Sequence, residues 1–288
     1  MNNSNQTRLP LWFKKKIYTG KNLHKVKDLL KKSKLNTICY EGKCPNKGEC
    51  FSRGEVTFII GGKYCTRNCK YCNVETNNKI NSPIDRKECE KIAEAVKDLK
   101  LKYVVITAVT RDDLTDGGAE HFRNTVEAVK ELNDKTKVEL LIPDFNNNLN
   151  AIEICVSSNA DVIGHNIEVA SRKLFKELRP QGDFNRSLKV LSELAERIKY
   201  VKSGFMVGFG ESINDIKDTM KDLYKSGVRY LTAGQYLCPS SKHSPVTKFY
   251  TPEEFSKIEN IALDIGFINC KAGPFVRSSY MAGDIFDE

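Results

Sequence analysis

The sequence lacks three features that would each assign it to a common class of protein. No apolar run approaches the ~18 residues that a membrane-spanning helix needs, so we expect no membrane anchor. The apolar stretch Leu11–Phe13 is too short for the core of a secretory signal peptide, and we therefore expect a cytoplasmic protein. No Gly-x-Gly-x-x-Gly follows the first predicted strand, which disfavours a dinucleotide-binding open sheet.

The composition is that of a folded protein with many thiols. The chain has 288 residues, of which 40% are hydrophobic and 29% are charged. A chain of this length buries a large core without disulfide bonds. Six of its ten cysteines lie between positions 39 and 72. In a reducing cytoplasm such a cluster binds metal or takes part in catalysis more often than it forms disulfides.

Short β-branched segments alternate with longer amphipathic segments from position 56 onward. This alternation predicts a parallel sheet, and about six such units predict an α/β fold with a partial (β/α)6 TIM-type barrel. A doubly wound open sheet is the alternative. The last helix is predicted to follow Thr251 and to end before Gly266. We expect a basic N-terminal extension (1–54), the partial barrel (55–265) and a C-terminal extension (266–288).

Three cysteines follow the first predicted strand, in a loop of the kind that carries catalytic groups in barrel enzymes. Cys65, Cys69 and Cys72 are separated by three and then two residues. Three thiolates so close together suit three irons of a [4Fe–4S] cluster and leave the fourth iron open. Zinc is the alternative, but it needs a fourth ligand, and no histidine lies within twenty residues of this loop.

This triplet, with Tyr71 just before its last cysteine, resembles the signature of the radical S-adenosylmethionine superfamily. The resemblance implies that S-adenosyl-L-methionine binds the open iron through its amino and carboxylate groups, with Tyr71 as a candidate contact. Electron donation then yields methionine and a 5′-deoxyadenosyl radical, which abstracts hydrogen from an unactivated C–H bond. The protein positions the cofactor and excludes water.

A second triplet, Cys39, Cys44 and Cys50, precedes the first, with spacings of four and then five residues. It lies in a Gly- and Pro-rich loop in which we expect neither helix nor strand. A second cluster, a zinc knuckle or buried thiols would each suit it. The two triplets together resemble the lipoyl synthase family, as do further blocks along nearly the whole chain, including 109–119, 141–145, 165–168, 206–212 and 273–280.

The lipoyl synthase resemblance implies both a reaction and a source of sulfur. It implies insertion of two sulfur atoms, at C6 and C8 of an octanoyl chain that is amide-linked to a carrier protein. The sulfur donor would be an auxiliary [4Fe–4S] cluster held by Cys39, Cys44, Cys50 and a serine of the C-terminal Arg-Ser-Ser-Tyr motif. That serine is Ser278 or, alternatively, Ser279. A hard oxygen binds cluster iron less well than thiolate does, which suits a cluster that is dismantled for its sulfur.

Several polar residues follow predicted strands and are candidate contacts for S-adenosyl-L-methionine. The resemblance places Asn166 and Glu168 near its ribose and Arg179 near its carboxylate. The alternative is that these three are surface or helix-start residues. The charged residues 111–113 either line the site or cap the next helix. Cys89 lies in a charged helix, where we expect it to be exposed and open to oxidation.

The resemblance also implies partners. These are octanoylated lipoyl carrier domains (2-oxoacid dehydrogenase E2 or glycine-cleavage H protein), an electron donor and an iron–sulfur carrier that rebuilds the auxiliary cluster. We expect no nucleic-acid and no membrane partner. Two other functions compete with this interpretation. One is a sulfur-inserting enzyme resembling biotin synthase, and the other is a zinc-dependent nucleic-acid-binding module.

The net charge of +9 is confined to residues 1–50, which hold twelve Lys and Arg against three Asp and Glu. We interpret this basic segment, including Lys14, Lys15 and Lys16, as a surface that steers an acidic carrier domain toward the sulfur donor. A merely solvated lysine-rich face is the alternative.

Overall fold

The computed structural model of the protein describes residues 9–77 and 83–283. The two ends of the chain, 1–8 of the predicted N-terminal extension and 284–288 of the C-terminal one, therefore lie outside the described residues. In the described part, no helix has the length and apolar character that crossing a membrane requires. Before the sheet come a short 3-10 helix, Leu11–Phe13, and three helices, α1 (Lys21–Ser33), α2 (Ile38–Glu41) and α3 (Lys47–Arg53).

Strands and helices alternate through the rest of the described chain. The strands are β1 (Thr57–Ile60), β2 (Tyr103–Ala108), β3 (Lys137–Leu141), β4 (Val162–Gly164), β5 (Glu168–Val169), β6 (Val201–Val207), β7 (Tyr230–Gln235) and β8 (Asn269–Gly273). The helices are α4 (Glu88–Leu99), α5 (Ala119–Leu132), α6 (Leu149–Val156), α7 (Arg172–Leu178), α8 (Phe184–Ala195), α9 (Ile213–Lys225) and α10 (Pro252–Ile265), with a 3-10 helix at Phe145–Asn147.

The strands form one parallel sheet in the order β1-β2-β3-β4-β6-β7-β8, with β5 also paired to β6. Within residues 9–77 and 83–283, the end strands β1 and β8 do not pair with each other. The barrel is therefore partial, as predicted. The outer edge of β1 is covered by the segment before α2, where the Ile59 N–H donates to the Asn36 carbonyl over 3.1 Å.

Most helices and strands after position 56 form where the hydrophobic pattern predicts them. All residues of β1 and β7 are buried, as expected for parallel strands covered by helices. Helix α10 begins with a capping box between Thr251 and Glu254 and ends at Gly266, whose φ is +114°. Both bounds of this helix are as predicted, because a side-chain cap starts it and a left-handed glycine stops it.

One strand lies where the sequence pattern indicates none. Strand β8 falls inside the predicted C-terminal extension, yet it pairs with β7 over five residues, from Tyr230↔Asn269 to Gly234↔Gly273. Its sequence, Asn-Cys-Lys-Ala-Gly, contains no β-branched residue, and it is only partly buried because it is an edge strand. The sheet thus continues past position 265, the predicted end of the barrel.

After β8 the chain turns back and crosses the inner face of the sheet. We call residues 274–283 the C-terminal segment. A methyl group at Gly234 would lie 2.1 Å from the carbonyl oxygen of Val276, and one at Gly204 would lie 2.9 Å from Ser278 Oγ. Such separations are too short for any real carbon contact. The absence of side chains at these two glycines therefore gives the segment its place in the barrel.

We expect Gly234→Ala to displace the C-terminal segment, because the added methyl group would overlap the main-chain carbonyl group of Val276. Overpacking of this kind lowers the free energy of unfolding by about 1–3 kcal/mol. Anaerobic urea unfolding and limited proteolysis of 274–283 check this. The matched control is Gly48→Ala in α3, where the methyl group would lie 3.7 Å from Tyr18 Cβ and alanine favours the helix. Equal stability and equal protection of the segment in all three proteins would contradict the packing described here.

Candidate active site

The first cysteine triplet lies on the loop between β1 and α4, at the carboxyl edge of the sheet. The loop folds back on itself, since the Cys65 N–H donates to the Glu75 carbonyl over 2.9 Å and the Cys72 N–H donates to the Cys69 carbonyl over 3.0 Å. All three thiols are partly buried. Burial raises the pKa of Cys69 and that of Cys72, the latter to about 12. A bound cation reverses such a shift and deprotonates the thiols.

Arg67 fixes this loop to the barrel. Its buried guanidinium donates to Asp112 from Nε over 2.7 Å and to Asp144 from Nη2 over 2.7 Å. Asp144 is fully buried and also accepts from Arg186 Nε over 2.9 Å. Burial alone would raise the pKa of Asp144, but Arg67 and Arg186 hold it well below its ordinary value. The cysteine loop is thereby attached to β2 and β3 through charged hydrogen bonds.

A second set of contacts holds the first turn of the cysteine loop, at Gly61. The Gly61 N–H donates to Glu88 Oε2 over 3.0 Å, and the Gly61 carbonyl accepts from Arg111 Nη1 over 2.9 Å. Arg111 also pairs with Asp113 over 2.8 Å. Residues 111–113 therefore support the loop from behind. Their charged groups hold the cysteine loop in place, and they are not among the residues that line the cavity.

Cys89 is buried, and the expectation of an exposed, oxidisable thiol is wrong. It is only 5% exposed because it lies on the face of α4 that packs against α5. Its Sγ lies 3.5 Å from His121 Nδ1 and 3.3 Å from Thr125 Oγ1. The same imidazole contacts Glu88 Oε2 through Nε2 over 2.7 Å.

The second triplet lies on short helices rather than on the irregular loop that the sequence predicts. Cys39 lies in α2 and Cys50 in α3, while Cys44 lies between them. Thr37 caps α2 by accepting from the Tyr40 N–H. The sequence predicts no helix here because the neighbouring glycine and proline residues favour a loop, and a single capping residue does not offset them. Burial raises the pKa of Cys39 to about 11. Burial likewise raises the pKa of Cys50, and a bound cation would reverse the shift of both thiols.

The C-terminal segment lies against this second triplet. The Tyr280 hydroxyl donates to Glu49 Oε1 over 2.9 Å, and the Asn46 side chain donates to the Phe275 carbonyl over 2.6 Å. Burial lowers the pKa of Arg277, whereas the neighbouring Cys44 raises it. The motif at 277–280 therefore lies against the part of the chain that carries the second cysteine triplet.

Lys15 belongs to this contact and not to a free docking surface. Its ammonium group lies 2.9 Å from Glu49 Oε2 and 4.5 Å from the ring centre of Phe275. Lys14 and Lys16 are exposed. The three lysines of the basic segment are therefore not equivalent, because Lys15 helps to hold the C-terminal segment.

One cavity of about 380 Å³ connects these parts. Its lining includes the second triplet, one cysteine of the first triplet and both serines of the motif, namely Cys39, Cys44, Cys50, Cys72, Ser278 and Ser279. Apolar walls come from Val105, Leu141 and Phe205. Cys65 and Cys69 lie outside this lining, on the loop at its edge.

The four candidate contacts for the cofactor lie near this cavity or its edge. Tyr71, Asn166 and Glu168 line the cavity, whereas Arg179 does not. Asn166 Nδ2 donates to Ser278 Oγ over 2.7 Å. Glu168 adopts φ +67°, a left-handed conformation that is strained for a residue with a side chain and is found most often at functional sites. Neither Asn166 nor Glu168 is a surface residue.

Arg179 lies behind the first triplet. The Lys70 N–H of the cysteine loop donates to the carbonyl of Leu178 over 2.8 Å, which brings the end of α7 against the loop. The Arg179 side chain is buried, and its Nε has no hydrogen-bond partner among the described residues. A buried guanidinium with a free N–H close to the Cys69 thiol suits an anionic group bound at this place.

A solved structure of a different protein shares this architecture. Streptococcus suis SuiB bound to its precursor peptide superposes with a TM-score of 0.58 at 18% sequence identity, covering 87% of this chain and 52% of that chain. At this identity the likeness concerns the fold alone.

Sequence comparison decides the family. The family model described as Radical SAM superfamily matches residues 59–223, and that of the N-terminal domain of lipoyl synthase matches residues 1–44. The lipoyl synthase of Caldicellulosiruptor saccharolyticus is 47% identical over 280 residues, covering 96% of this chain and 97% of its own length. That of Alkaliphilus metalliredigens is 46% identical over 286 residues, covering 99% and 98%. The chain belongs to the lipoyl synthase family.

The enzyme therefore inserts two sulfur atoms, at C6 and C8 of a protein-bound octanoyl group, to form the lipoyl cofactor. It uses S-adenosyl-L-methionine and a [4Fe–4S] cluster, and its substrate is a lipoyl carrier protein. Neither the enzyme resembling biotin synthase nor the zinc-dependent nucleic-acid-binding module describes the activity of this family.

The thiols of the first loop fit such a cluster. Within the described ranges, no three His, Cys, Asp or Glu side chains converge as the ligands of a single metal ion do. A cubane does not require this convergence, because each cysteine binds a separate iron. Three partly buried thiols on one loop, with the free N–H of Arg179 nearby, match an anionic cofactor bound beside a cluster.

Two groups at the site had no usable signal in the sequence. His243 Nε2 lies 3.0 Å from the Cys72 carbonyl, but a lone histidine 171 positions away predicts no such contact. Lys202 and Glu139 form an ion pair on the inner face of the barrel. They lie on different strands, 63 positions apart, and no pattern in the sequence pairs them.

We expect Arg67→Met to loosen the cysteine loop, because Asp144 then loses one of its two guanidinium partners inside the protein. Breaking a buried ion pair costs about 3–5 kcal/mol of unfolding free energy. Anaerobic urea unfolding and proteolysis of the 63–77 loop measure the effect. Lys63→Met on the same loop is the control, since its ion pair with Glu75 is exposed and we expect no measurable change. Similar losses in both variants would contradict this role of Arg67.

We expect the contact between His121 and Glu88 to make stability depend on pH. Burial lowers the pKa of His121, but its hydrogen bonds to Cys89 and Glu88 outweigh this and raise it from 6.5 to about 9. Because the folded value is the higher one, the stabilisation is complete below about pH 6.5 and is lost as pH rises through about 9. The stability difference between wild type and His121→Gln should therefore shrink from pH 6 to pH 10 in urea unfolding. A constant difference would contradict the assignment.

Proposed function

We propose that Cys65, Cys69 and Cys72 hold the radical [4Fe–4S] cluster, while an auxiliary [4Fe–4S] cluster supplies the sulfur. The auxiliary ligands are Cys39, Cys44, Cys50 and Ser278. The observation that carries the proposal is the single cavity that all four auxiliary ligands line together with Cys72. An aliphatic chain in this cavity would lie between the two triplets, against an apolar wall that favours its burial.

When bound, the first cluster with S-adenosyl-L-methionine would supply a carbon-centred radical that abstracts hydrogen, and the auxiliary cluster would supply sulfide. The residues of this chain do the positioning. Asn166 and Glu168 face the cavity near Tyr71, and we assign them to the ribose of S-adenosyl-L-methionine. We assign Arg179 to its carboxylate, because the free Nε–H of Arg179 is a charged donor beside the first triplet.

The direction of one hydrogen bond supports Ser278 as the oxygen ligand. Asn166 Nδ2 donates to Ser278 Oγ, so the oxygen accepts and its own proton points elsewhere. A serine that loses this proton to bind iron keeps the bond from Asn166, which stabilises the alkoxide. The bond therefore favours Ser278 over Ser279.

The partners are also part of this proposal. The carrier is an octanoylated lipoyl domain of a 2-oxoacid dehydrogenase E2 or a glycine-cleavage H protein. An electron donor and an iron–sulfur carrier act on the two clusters. The exposed Lys14 and Lys16 support a basic docking face. A cytoplasmic location stays a prediction supported by ten unpaired thiols, and the bounds 1–54, 55–265 and 266–288 also stay predictions.

We expect Cys44→Ala to retain cleavage of S-adenosyl-L-methionine and to lose sulfur insertion, because it removes a ligand of the sulfur donor only. Cys69→Ala, the matched variant in the other triplet, should abolish both. Anaerobic incubation with an octanoylated peptide, read by mass together with 5′-deoxyadenosine, separates the two. Iron should fall from roughly eight to roughly four per chain in each variant. Lipoyl product from Cys44→Ala, or zinc without acid-labile sulfide in the wild type, would overturn the assignment.

A further inference from the structure

The C-terminal segment rests on a charged pair inside the barrel. Lys202 Nζ lies 2.8 Å from each carboxylate oxygen of Glu139, and the two residues are 7% and 1% exposed. The Tyr103 hydroxyl donates to the same carboxylate. A buried ion pair seldom stabilises a fold more than an apolar pair of the same size. Its presence on an inner face that also carries Val105 and Leu141 therefore indicates a role besides stability.

The sheet is built so that this pair can form. Strand β4 lies between β3, which carries Glu139, and β6, which carries Lys202. The residue of β4 in register with Lys202 is Gly164, where a methyl group would lie 3.4 Å from Lys202 Cβ. With no side chain at Gly164, Lys202 reaches across β4 to Glu139.

The third N–H of the Lys202 ammonium group points to Ser278. An ammonium group has three N–H donors. Two of those of Lys202 go to Glu139, and one goes to the Ser278 carbonyl over 3.3 Å. Two residues further along β6, on the same face of the strand, Gly204 leaves space for the Ser278 side chain. Asn166 then donates to its hydroxyl oxygen.

These contacts fix both the main chain and the side chain of one serine. The main-chain carbonyl is held by Lys202, the side chain fits over Gly204, and the hydroxyl oxygen is held by Asn166. All three contacts fall on Ser278 and none on the adjacent Ser279. A shift of the segment by one residue would break all three.

We propose that Lys202, held in place by Glu139, is a positioning residue that seats Ser278 and so selects it over Ser279 as the oxygen presented to the auxiliary cluster. The part of this proposal that concerns the cluster bound by Ser278 rests on the proposed function. The seating itself is a property of the folded chain and is measurable without any cluster.

Hydrogen–deuterium exchange of the full-length, cluster-free protein tests the seating. Lys202→Met should speed exchange in peptides from 276–283 by about tenfold, the factor expected from losing one hydrogen bond to a charged donor. The control is Lys130→Met, whose lysine forms an ion pair with Asp161 on the outer side of the barrel. It should leave 276–283 unchanged. Unchanged exchange in Lys202→Met, or equal acceleration in the control, overturns the proposal.

A second variant guards against simple misfolding. Lys202→Met leaves Glu139 as a buried charge without its cation, which is costly. The double variant Lys202→Met with Glu139→Gln carries no buried charge at this place and should regain stability in urea unfolding. It should still show fast exchange in 276–283, because the donor to Ser278 is missing. Recovery of slow exchange in the double variant overturns the role of Lys202.

Assays of the enzyme with reconstituted clusters then test whether the position of Ser278 affects sulfur insertion. Lys202→Met should form 5′-deoxyadenosine normally but yield about tenfold less lipoyl product per molecule cleaved, since misplacement of a ligand lowers only the step that uses it. Its auxiliary-cluster Mössbauer signature should shift as in Ser278→Ala. A normal product ratio despite fast exchange overturns the positioning role. Full activity of Ser278→Ala with loss in Ser279→Ala instead refutes the proposed ligand, while the exchange result still reports the seating.

Discussion

The packing of the C-terminal segment against Gly204 and Gly234 is the contact on which the rest of the site depends. It brings Arg277 beside Cys44 and Tyr280 onto Glu49, so that the two ends of the described chain meet over the inner face of the sheet. The cavity exists because this segment forms one of its walls. Without those two glycines the cysteines of the second triplet would face an open barrel.

Charged hydrogen bonds hold the parts of the site that have no regular secondary structure. The cysteine loop after β1 is attached through Arg67, Asp144 and the Gly61 contacts, and the C-terminal segment is attached through Lys202 and Lys15. Bonds of this kind are shorter and stronger than neutral ones. They give irregular segments the fixed geometry that radical chemistry requires, because a misplaced substrate reacts at the wrong carbon.

Much of the fold and the cysteine sites could be predicted, since both depend on patterns of near neighbours. Strand–helix alternation gave the partial barrel, and thiol spacing gave the candidate ligands. Pairings between residues far apart in sequence could not be predicted. Lys202 and Glu139 lie 63 positions apart. Lys15 meets Glu49 only once the chain has folded, and no local pattern indicates this contact. The burial of Cys89 could not be predicted, because most charges of α4 face solvent whereas Cys89 and Glu88 face α5. Strand β8 was missed because edge pairing needs little hydrophobic signal.

The bond between Tyr280 and Glu49 joins residues 231 positions apart in sequence. Contacts of such high sequence separation form late in folding, since the intervening chain must first be ordered. During synthesis the ribosome releases both cysteine triplets long before it releases Ser278 and Ser279, so the thiols of the second triplet emerge without the segment that packs over them. The order of translation thus leaves Cys39, Cys44 and Cys50 open to solvent on one side until the last part of the chain arrives and closes over them.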